Sequence, residues 1–137
     1  MPDWVQNQRK SFRLRVSKKM DKETTMLDEK LLEQYYELLG KEGVHEMYET
    51  FSDNIGGYLK RLNELVQERD ETETRRQAHK LKGACRSVGL RQLASQMERL
   101  EREEWHWQDA DELMAQWSLE LPLHQHELRH WLHARGI

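Results

Sequence analysis

Cysteine, proline and long apolar runs are all scarce in this chain of 137 residues. Its one cysteine, Cys85, cannot form an intramolecular disulfide, which is typical of proteins from a reducing compartment. Its two prolines, Pro2 and Pro122, leave most of the chain free to form helix. No apolar run approaches the roughly 18–20 residues that a membrane-spanning helix needs, and no signal peptide is visible. These absences predict a soluble, cytoplasmic protein that does not insert into a membrane.

Charged residues are plentiful, but neither sign dominates. The chain has 22 Lys and Arg against 25 Asp and Glu, so no basic field favours nucleic acid as a partner. Its leucines and aromatic residues are too frequent and too regularly spaced for a disordered chain. The length suits one domain with a modest core. The composition, rich in Glu, Leu, Arg and Gln, predicts an all-helical domain.

Residues 1–20 differ from the rest of the chain. They hold six Arg or Lys residues against one Asp, and their apolar residues alternate instead of repeating at helical spacing. We therefore predict a basic, flexible segment at residues 1–23 and a helical domain at residues 24–137. The segment is either a mobile tail or an extension from an upstream start codon, and an arm that binds a membrane surface or a partner is the weaker alternative.

From residue 24 onward, apolar residues recur at the spacing of amphipathic helices. The first segment has these apolar residues on one side: Leu27, Leu31, Leu32, Tyr35, Leu38 and Leu39. Gly40 and Gly89 are predicted to end helices. Asp70 with Glu73 resembles a capping box that starts a helix near residue 71, and Pro122 must kink or split the last helix. Short loops favour antiparallel neighbours, hence an up-and-down helical bundle.

The stretch AHKLKGACRSVGL, residues 78–90, combines a buried stripe with reactive residues beside it. The inward-facing residues of its helix are predicted to be Thr74, Ala78, Leu81, Cys85 and Val88. On the adjacent face of the helix, the spacing predicts an exposed strip made of His79, Lys82, Gly83 and Arg86. Arg75 and Arg76 lie one turn before this strip.

Three residues of this strip together favour phosphoryl transfer between proteins. An exposed imidazole, here His79, has a nucleophilic nitrogen near neutral pH. Lys82 can pair with a phosphoryl group attached there. Gly83 costs the helix about 0.5–1 kcal/mol but leaves room for another protein to dock over the histidine. A small-molecule enzyme would instead need a concave, water-excluding pocket, and the alternative without a function is an ordinary solvated surface.

The same stretch closely resembles the His-x-Leu-Lys-Gly signature of histidine-containing phosphotransfer (HPt) domains. The similarity extends from about Leu27 to Glu104, through LLEQYYELLGKEGVHEMYETF and LRQLASQMERLE. This resemblance implies an all-α, up-and-down four-helix bundle with helices at about residues 43–69, 71–88, 90–104 and 108–134. It also implies that an additional helix at residues 28–39 caps one end of the bundle.

The resemblance implies a phosphocarrier in a multistep His–Asp phosphorelay, not an enzyme that turns over a substrate. His79 would accept a phosphoryl group from an aspartate of a receiver domain and pass it to another receiver. Lys82 would steady the phosphoryl group and Gly83 would admit the receiver, which belongs to a response regulator or a hybrid sensor kinase. No metal or cofactor is expected in this chain, because the receiver holds the Mg²⁺ ion. The protein is expected to be a monomer.

The residues flanking His79 include both candidate partner contacts and departures from the family. Arg75, Arg76 and Arg86 are the candidate contacts to a receiver. Arg86 is larger than expected beside the docking surface and is predicted to narrow the set of receivers accepted. Ala84 and Cys85 follow Gly83 where the family often has small polar residues, and Cys85 is interpreted as a buried apolar filler.

Four alternatives remain. The first is a non-catalytic docking module that binds receivers without phosphotransfer. The second is a zinc peptidase, since HELRH at residues 126–130 matches H-E-x-x-H, although a third ligand and a sheet are not evident. The third takes HELR as the H-box of a sensor kinase with His126 as phosphoacceptor, although the chain has no ATP-binding domain. Last, His126, His130 and His133 could bind a metal ion adventitiously. The late tryptophans are interpreted as structural: Trp105, Trp107, Trp117 and Trp131.

Overall fold

A computed structural model describes residues 26–137, and these residues form four α-helices. The helices are α1 (Glu29–Gln67), α2 (Glu71–Ser87), α3 (Arg91–Arg102) and α4 (Trp107–Ala134). Outside them, Leu27 and Leu90 form an isolated antiparallel β-bridge. The prediction of an all-α fold is therefore confirmed for this part of the chain. The basic segment predicted at residues 1–23 lies outside the described residues.

Gly40 divides α1 into two helical parts. Its φ of 71° lies in the left-handed region, which glycine adopts without a steric penalty, and the predicted helix stop is thereby confirmed. The part before Gly40 packs on one end of the bundle. There the Asp28 N–H donates to the Gly89 carbonyl at 2.7 Å, and Arg135 at the end of α4 pairs with Glu33. This part of α1 thus covers the end of the bundle where the α2–α3 turn and the end of α4 meet.

The other helices surround one apolar core. Connections at residues 68–70, 88–90 and 103–106 are short, so consecutive helices run antiparallel. Helix α2 packs against α1 and α3, and α4 packs against the same two helices. Trp117 of α4 is fully buried, and its Nε1–H donates to the Leu93 carbonyl at 3.1 Å, which satisfies the one polar atom of the indole.

The apolar spacing of the first segment does not bury all of its residues, since Leu38 and Leu39 in the last turn before Gly40 are 81% and 52% exposed. Of the two alternatives for Pro122, a kink or a split of the last helix, the split is wrong, since α4 runs through it from Trp107 to Ala134. Pro122 is exposed, and the helix around it is held by buried side chains such as Leu121. Among residues 26–137, no helix is long and apolar enough to cross a membrane.

Candidate functional site

The start of α2 sets which residues of that helix face the core. Asp70 is the N-cap, and its carboxylate accepts a hydrogen bond from the Glu73 N–H at 3.1 Å. This is one half of the predicted capping box, because the Asp70 N–H donates to the Leu65 carbonyl and not to Glu73. All five residues predicted to face inward on this helix are buried: Thr74, Ala78, Leu81, Cys85 and Val88. With this stripe against the core, His79 and Gly83 point to solvent.

His79 and Gly83 form an open surface at the middle of α2. The His79 side chain is 65% exposed. A Cβ atom built on Gly83 would meet no atom within 4 Å, so the fold itself does not require glycine there. The glycine therefore leaves helix backbone uncovered one turn from the imidazole.

Lys82 does not lie on the exposed strip. Its side chain is only 5% exposed, and its Nζ pairs with Glu101 Oε1 of α3 at 2.5 Å. Lys82 lies on the side of α2 that packs against α3, and an ammonium that is buried needs a partner of opposite charge. The expectation that Lys82 is exposed is therefore corrected: it is a buried cation held by a carboxylate.

Glu101, at the end of α3, contacts both Lys82 and His79. The sequence analysis did not predict a role for it. Its Oε2 lies 2.9 Å from His79 Nδ1, while its Oε1 binds Lys82. Burial alone would raise the pKa of Glu101, but hydrogen bonds and positive charge from Lys82 and His79 outweigh it and hold that pKa below its usual range. A signal for this contact exists in the sequence. His79 and Glu101 lie at similar distances before and after the Gly89 turn, and an antiparallel hairpin brings such positions together.

Arg75 is also less available than the sequence predicts. Its guanidinium donates to the backbone carbonyls of Leu100, Glu101 and Glu103, at 3.4, 2.9 and 2.9 Å. It also stacks over the Trp105 ring, 4.8 Å from the ring centroid. These carbonyls belong to the C-terminal end of α3, which lacks intrahelical donors. Arg75 therefore holds the end of α3 instead of extending into solvent.

Arg76 and Arg86 remain on the surface. The Arg76 side chain is 73% exposed and pairs with Glu73 at 2.8 Å, whereas Arg86 pairs with Glu98 of α3 at 3.4 Å. Exposed pairs of this kind contribute little to stability, about 0–1 kcal/mol. Both guanidinium groups are thus accessible to a partner.

An open groove of about 530 Å³ runs between α1 and α2, and Ala84 and Ser87 line it on the α2 side. We call it the apolar groove, and its apolar side chains include Leu39, Met47, Phe51, Tyr58 and Ala84. Glu46, Thr50 and Asn54 add polar groups along its α1 side. A groove with exposed apolar side chains offers surface that another protein can bury on binding.

The remaining motifs of the sequence do not form a metal site within residues 26–137. In that range no three His, Cys, Asp or Glu side chains are grouped closely enough to hold a metal ion. His124 is buried in α4, whereas His126, His130 and His133 are exposed. Cys85 is buried, and burial raises the pKa of its thiol to about 12, which disfavours the reactive thiolate.

The late tryptophans pack against the protein, as predicted. Trp105 and Trp107 contact each other edge to face, with ring centroids 4.9 Å apart, and the Trp105 Nε1–H donates to the Leu100 carbonyl at 2.9 Å. Trp117 and Trp131 are buried in the core.

Comparison with known proteins adds independent information. The family model "Hpt domain" matches residues 46–134. The aerobic respiration control sensor protein ArcB of Escherichia coli (strain K12) is 36% identical over 72 residues, which are 53% of this chain and 9% of that protein. The ArcB protein of Shigella flexneri matches with the same identity and coverage. The chain thus spans a small part of the length of these curated relatives.

Two solved structures have the same fold. The histidine-containing phosphotransfer domain of ArcB from Escherichia coli superposes with a TM-score of 0.74 at 28% identity, covering 85% of this chain and 99% of that one. A solution structure of the corresponding domain of the Escherichia coli anaerobic sensor kinase ArcB gives 0.73 at 26% identity, with 87% and 97% coverage.

Proposed function

This chain belongs to the Hpt domain family, and we propose that it carries a phosphoryl group between receiver domains in a His–Asp phosphorelay, with His79 as the phosphoacceptor. One observation carries the proposal. His79 is a largely exposed imidazole one turn from Gly83. A side chain would fit at position 83, but the glycine leaves the helix backbone uncovered there. A partner's surface can therefore approach the helix backbone beside the ring without meeting a side chain at position 83.

The proposed step is a transfer of phosphorus from oxygen to nitrogen. The Nε2 lone pair of neutral His79 attacks the phosphorus of an aspartyl phosphate on the receiver. The new N–P bond forms as the O–P bond breaks, and the leaving electron pair returns to the aspartate carboxylate. Transfer to a second receiver reverses these bond changes. The receiver is expected to supply the Mg²⁺ ion, and no cofactor is proposed for this chain.

The surroundings of His79 support docking of a receiver domain. The apolar groove is lined on α2 by Ala84 and Ser87, which follow Gly83 in the sequence. The exposed guanidinium groups of Arg76 and Arg86 lie before and after the ring along α2. Lys82 supplies positive charge beside the ring, although its Nζ is bound to Glu101. We propose that the partners are receiver domains of response regulators or hybrid sensor kinases, met by a monomer in the cytoplasm.

A transfer assay with matched histidine variants tests this proposal. Purified receiver domains are phosphorylated, mixed with this protein, and the gain of acid-labile phosphate is followed by intact-mass spectrometry. We expect wild type and His126→Gln to gain one phosphoryl group, and His79→Gln to gain none while keeping its helix content. Acceptance by His79→Gln at the wild-type rate would overturn the assignment. Loss in His126→Gln alone would favour the H-box alternative, and receiver binding without any transfer would favour the docking module.

A further inference from the structure

The outer face of α4 carries an apolar patch. Leu119 and Leu123 are 76% and 61% exposed, and they lie one turn apart on the side opposite the buried stripe of this helix. Exposed Ala115 and Pro122 extend the patch along the same face. A surface helix normally presents polar residues on the side that faces away from the core. Single exposed leucines need no explanation, whereas neighbouring ones on one helix face form surface that a partner can bury.

Charged residues lie on both sides of this patch, and their signs differ. Between the start of α4 and Leu119, the exposed charged residues are both acidic, Asp111 and Glu112. Beyond Leu123, four exposed residues carry or can gain positive charge and one, Glu127, is acidic. The four are His126, Arg129, His130 and His133. The outer face of α4 is therefore acidic at one end, apolar in the middle and basic at the other end.

This order of charges fits a second copy of the same face. We propose that α4 is a self-association surface on which a second copy of this chain packs its own α4 in the antiparallel direction. A two-fold axis at residue 121 places Leu119 against Leu123 of the second copy. It also places Glu112 opposite His130 of the second copy, because both lie nine residues from the axis. A parallel pair would bring like charges together, so the charges favour the antiparallel arrangement.

The proposed contact does not cover the candidate phosphoacceptor. Helix α4 packs against α1 and α3, and α2, which carries His79, lies across the bundle from it. In a pair joined through α4, both copies of α2 therefore face away from the contact. Self-association and receiver docking use different surfaces, so this inference does not depend on the proposed function.

The contact is expected to be weak. Helix α4 has 28 residues and is about 42 Å long, but only two leucines form the centre of its outer face. An interface of this size belongs to the transient class, with an expected dissociation constant of roughly 0.1–1 mM. The monomer therefore predominates at low concentration and is the species that meets a receiver there. The dimer forms where the local concentration of the chain is high.

Sedimentation velocity of the full chain at protein concentrations between about 10 µM and 1 mM measures this association. We expect wild type to shift from the mass of a monomer towards twice that mass as the concentration rises. Leu119→Lys should weaken the association by about tenfold or more, because it places a cation in the apolar centre of the interface. Leu38→Lys is the matched control, since Leu38 is 81% exposed but lies in α1. It should associate as wild type does, and circular dichroism checks that each variant keeps its helix content.

Exchanging the charges of one pair tests the antiparallel arrangement. Glu112→Lys places a cation opposite Arg129 and His130 of the second copy, and His130→Glu places an acid opposite Glu112. Each single variant should weaken the association by about two- to fivefold. The double variant Glu112→Lys, His130→Glu restores opposite charges and should associate at least as tightly as wild type. The two positions are 18 residues and about 27 Å apart on one helix, so a recovery arises between copies and not within one.

Three results would overturn the inference. They are a wild type that stays monomeric at the highest concentration, an association that Leu38→Lys weakens as much as Leu119→Lys does, and a double variant that does not recover. The phosphotransfer assay is run far below the expected dissociation constant, where the monomer predominates. Its failure would count against the proposed function alone, and a wild type that transfers phosphate but never associates would overturn only this inference.

Discussion

Substitutions at Gly83 are expected to change stability and phosphotransfer in opposite directions. Gly83 has an ordinary helical φ, and a Cβ there would meet nothing within 4 Å. Replacing a helical glycine by alanine gains about 0.8–1.0 kcal/mol of helix propensity, and no contact in this structure opposes that gain. We therefore predict that Gly83→Ala raises the free energy of unfolding by about 0.5–1 kcal/mol, which is roughly 2–6 °C in Tm.

A larger side chain at the same position should impair transfer while the helix tolerates it. Gly83→Gln places a flexible side chain on the surface beside His79, where the receiver would have to dock. We expect the initial rate of phosphoryl gain from a phosphorylated receiver to fall by about tenfold or more, the result of losing roughly 1.4 kcal/mol of docking energy. Helix content should stay at the wild-type level.

Gly56 provides the matched control, because it too is exposed, helical and free of any atom within 4 Å of a Cβ, but it lies on α1 and not on the helix that carries His79. Gly56→Ala should stabilise the protein as Gly83→Ala does, and Gly56→Gln should transfer at the wild-type rate. Thermal unfolding by circular dichroism and intact-mass kinetics measure the two effects. Wild-type transfer by Gly83→Gln, or a lower Tm for Gly83→Ala, would refute this account of the glycine.

Three further predictions concern stability. Arg75→Ala should lower the free energy of unfolding by about 2 kcal/mol, because the Glu101 and Glu103 carbonyls each lose a donor and the Leu100 carbonyl keeps only that of Trp105. Arg76→Ala should stay within about 0.5 kcal/mol of wild type, and equal urea midpoints for the two variants would contradict this. Burial lowers the pKa of His124, so the unfolded chain takes up a proton first and stability falls as pH drops below about 6.5. His124→Leu should flatten that slope between about pH 7.5 and 5.5, and an unchanged slope would refute the cause. The lowered pKa of Glu101 means that its stabilisation is present above about pH 4.5 and lost below it. Urea unfolding of Glu101→Gln should therefore differ from wild type at neutral pH and converge with it in acid, and a difference that persists at pH 2 would be inconsistent with this.

The parts of the fold that depend on local spacing were predictable. The buried stripe of α2 follows from helical periodicity, its start from Asp70, and the break in α1 from Gly40. His79 and Gly83 are exposed as predicted. Once the buried stripe faces the core, the opposite face of the helix must face solvent.

The parts that depend on contacts between helices were not predictable in the same way. Lys82 and Arg75 lie on the flank of α2, and periodicity does not tell which flank a neighbouring helix covers. Their partners lie on α3, with Glu101 19 residues after Lys82 in the sequence. The exposure of Leu38 was not predictable for a related reason, since helical spacing alone does not tell whether a neighbouring helix covers a residue.

The most direct test of the account is to locate the phosphoryl group on the protein. Wild type with ¹⁵N-labelled histidine is phosphorylated by a receiver domain, and ³¹P–¹⁵N couplings identify the nitrogen bonded to phosphorus. The account predicts one phosphohistidine, at Nε2 of His79, with the proton of that ring still on Nδ1. Phosphorus on Nδ1 of His79, on another histidine, or on none would contradict it.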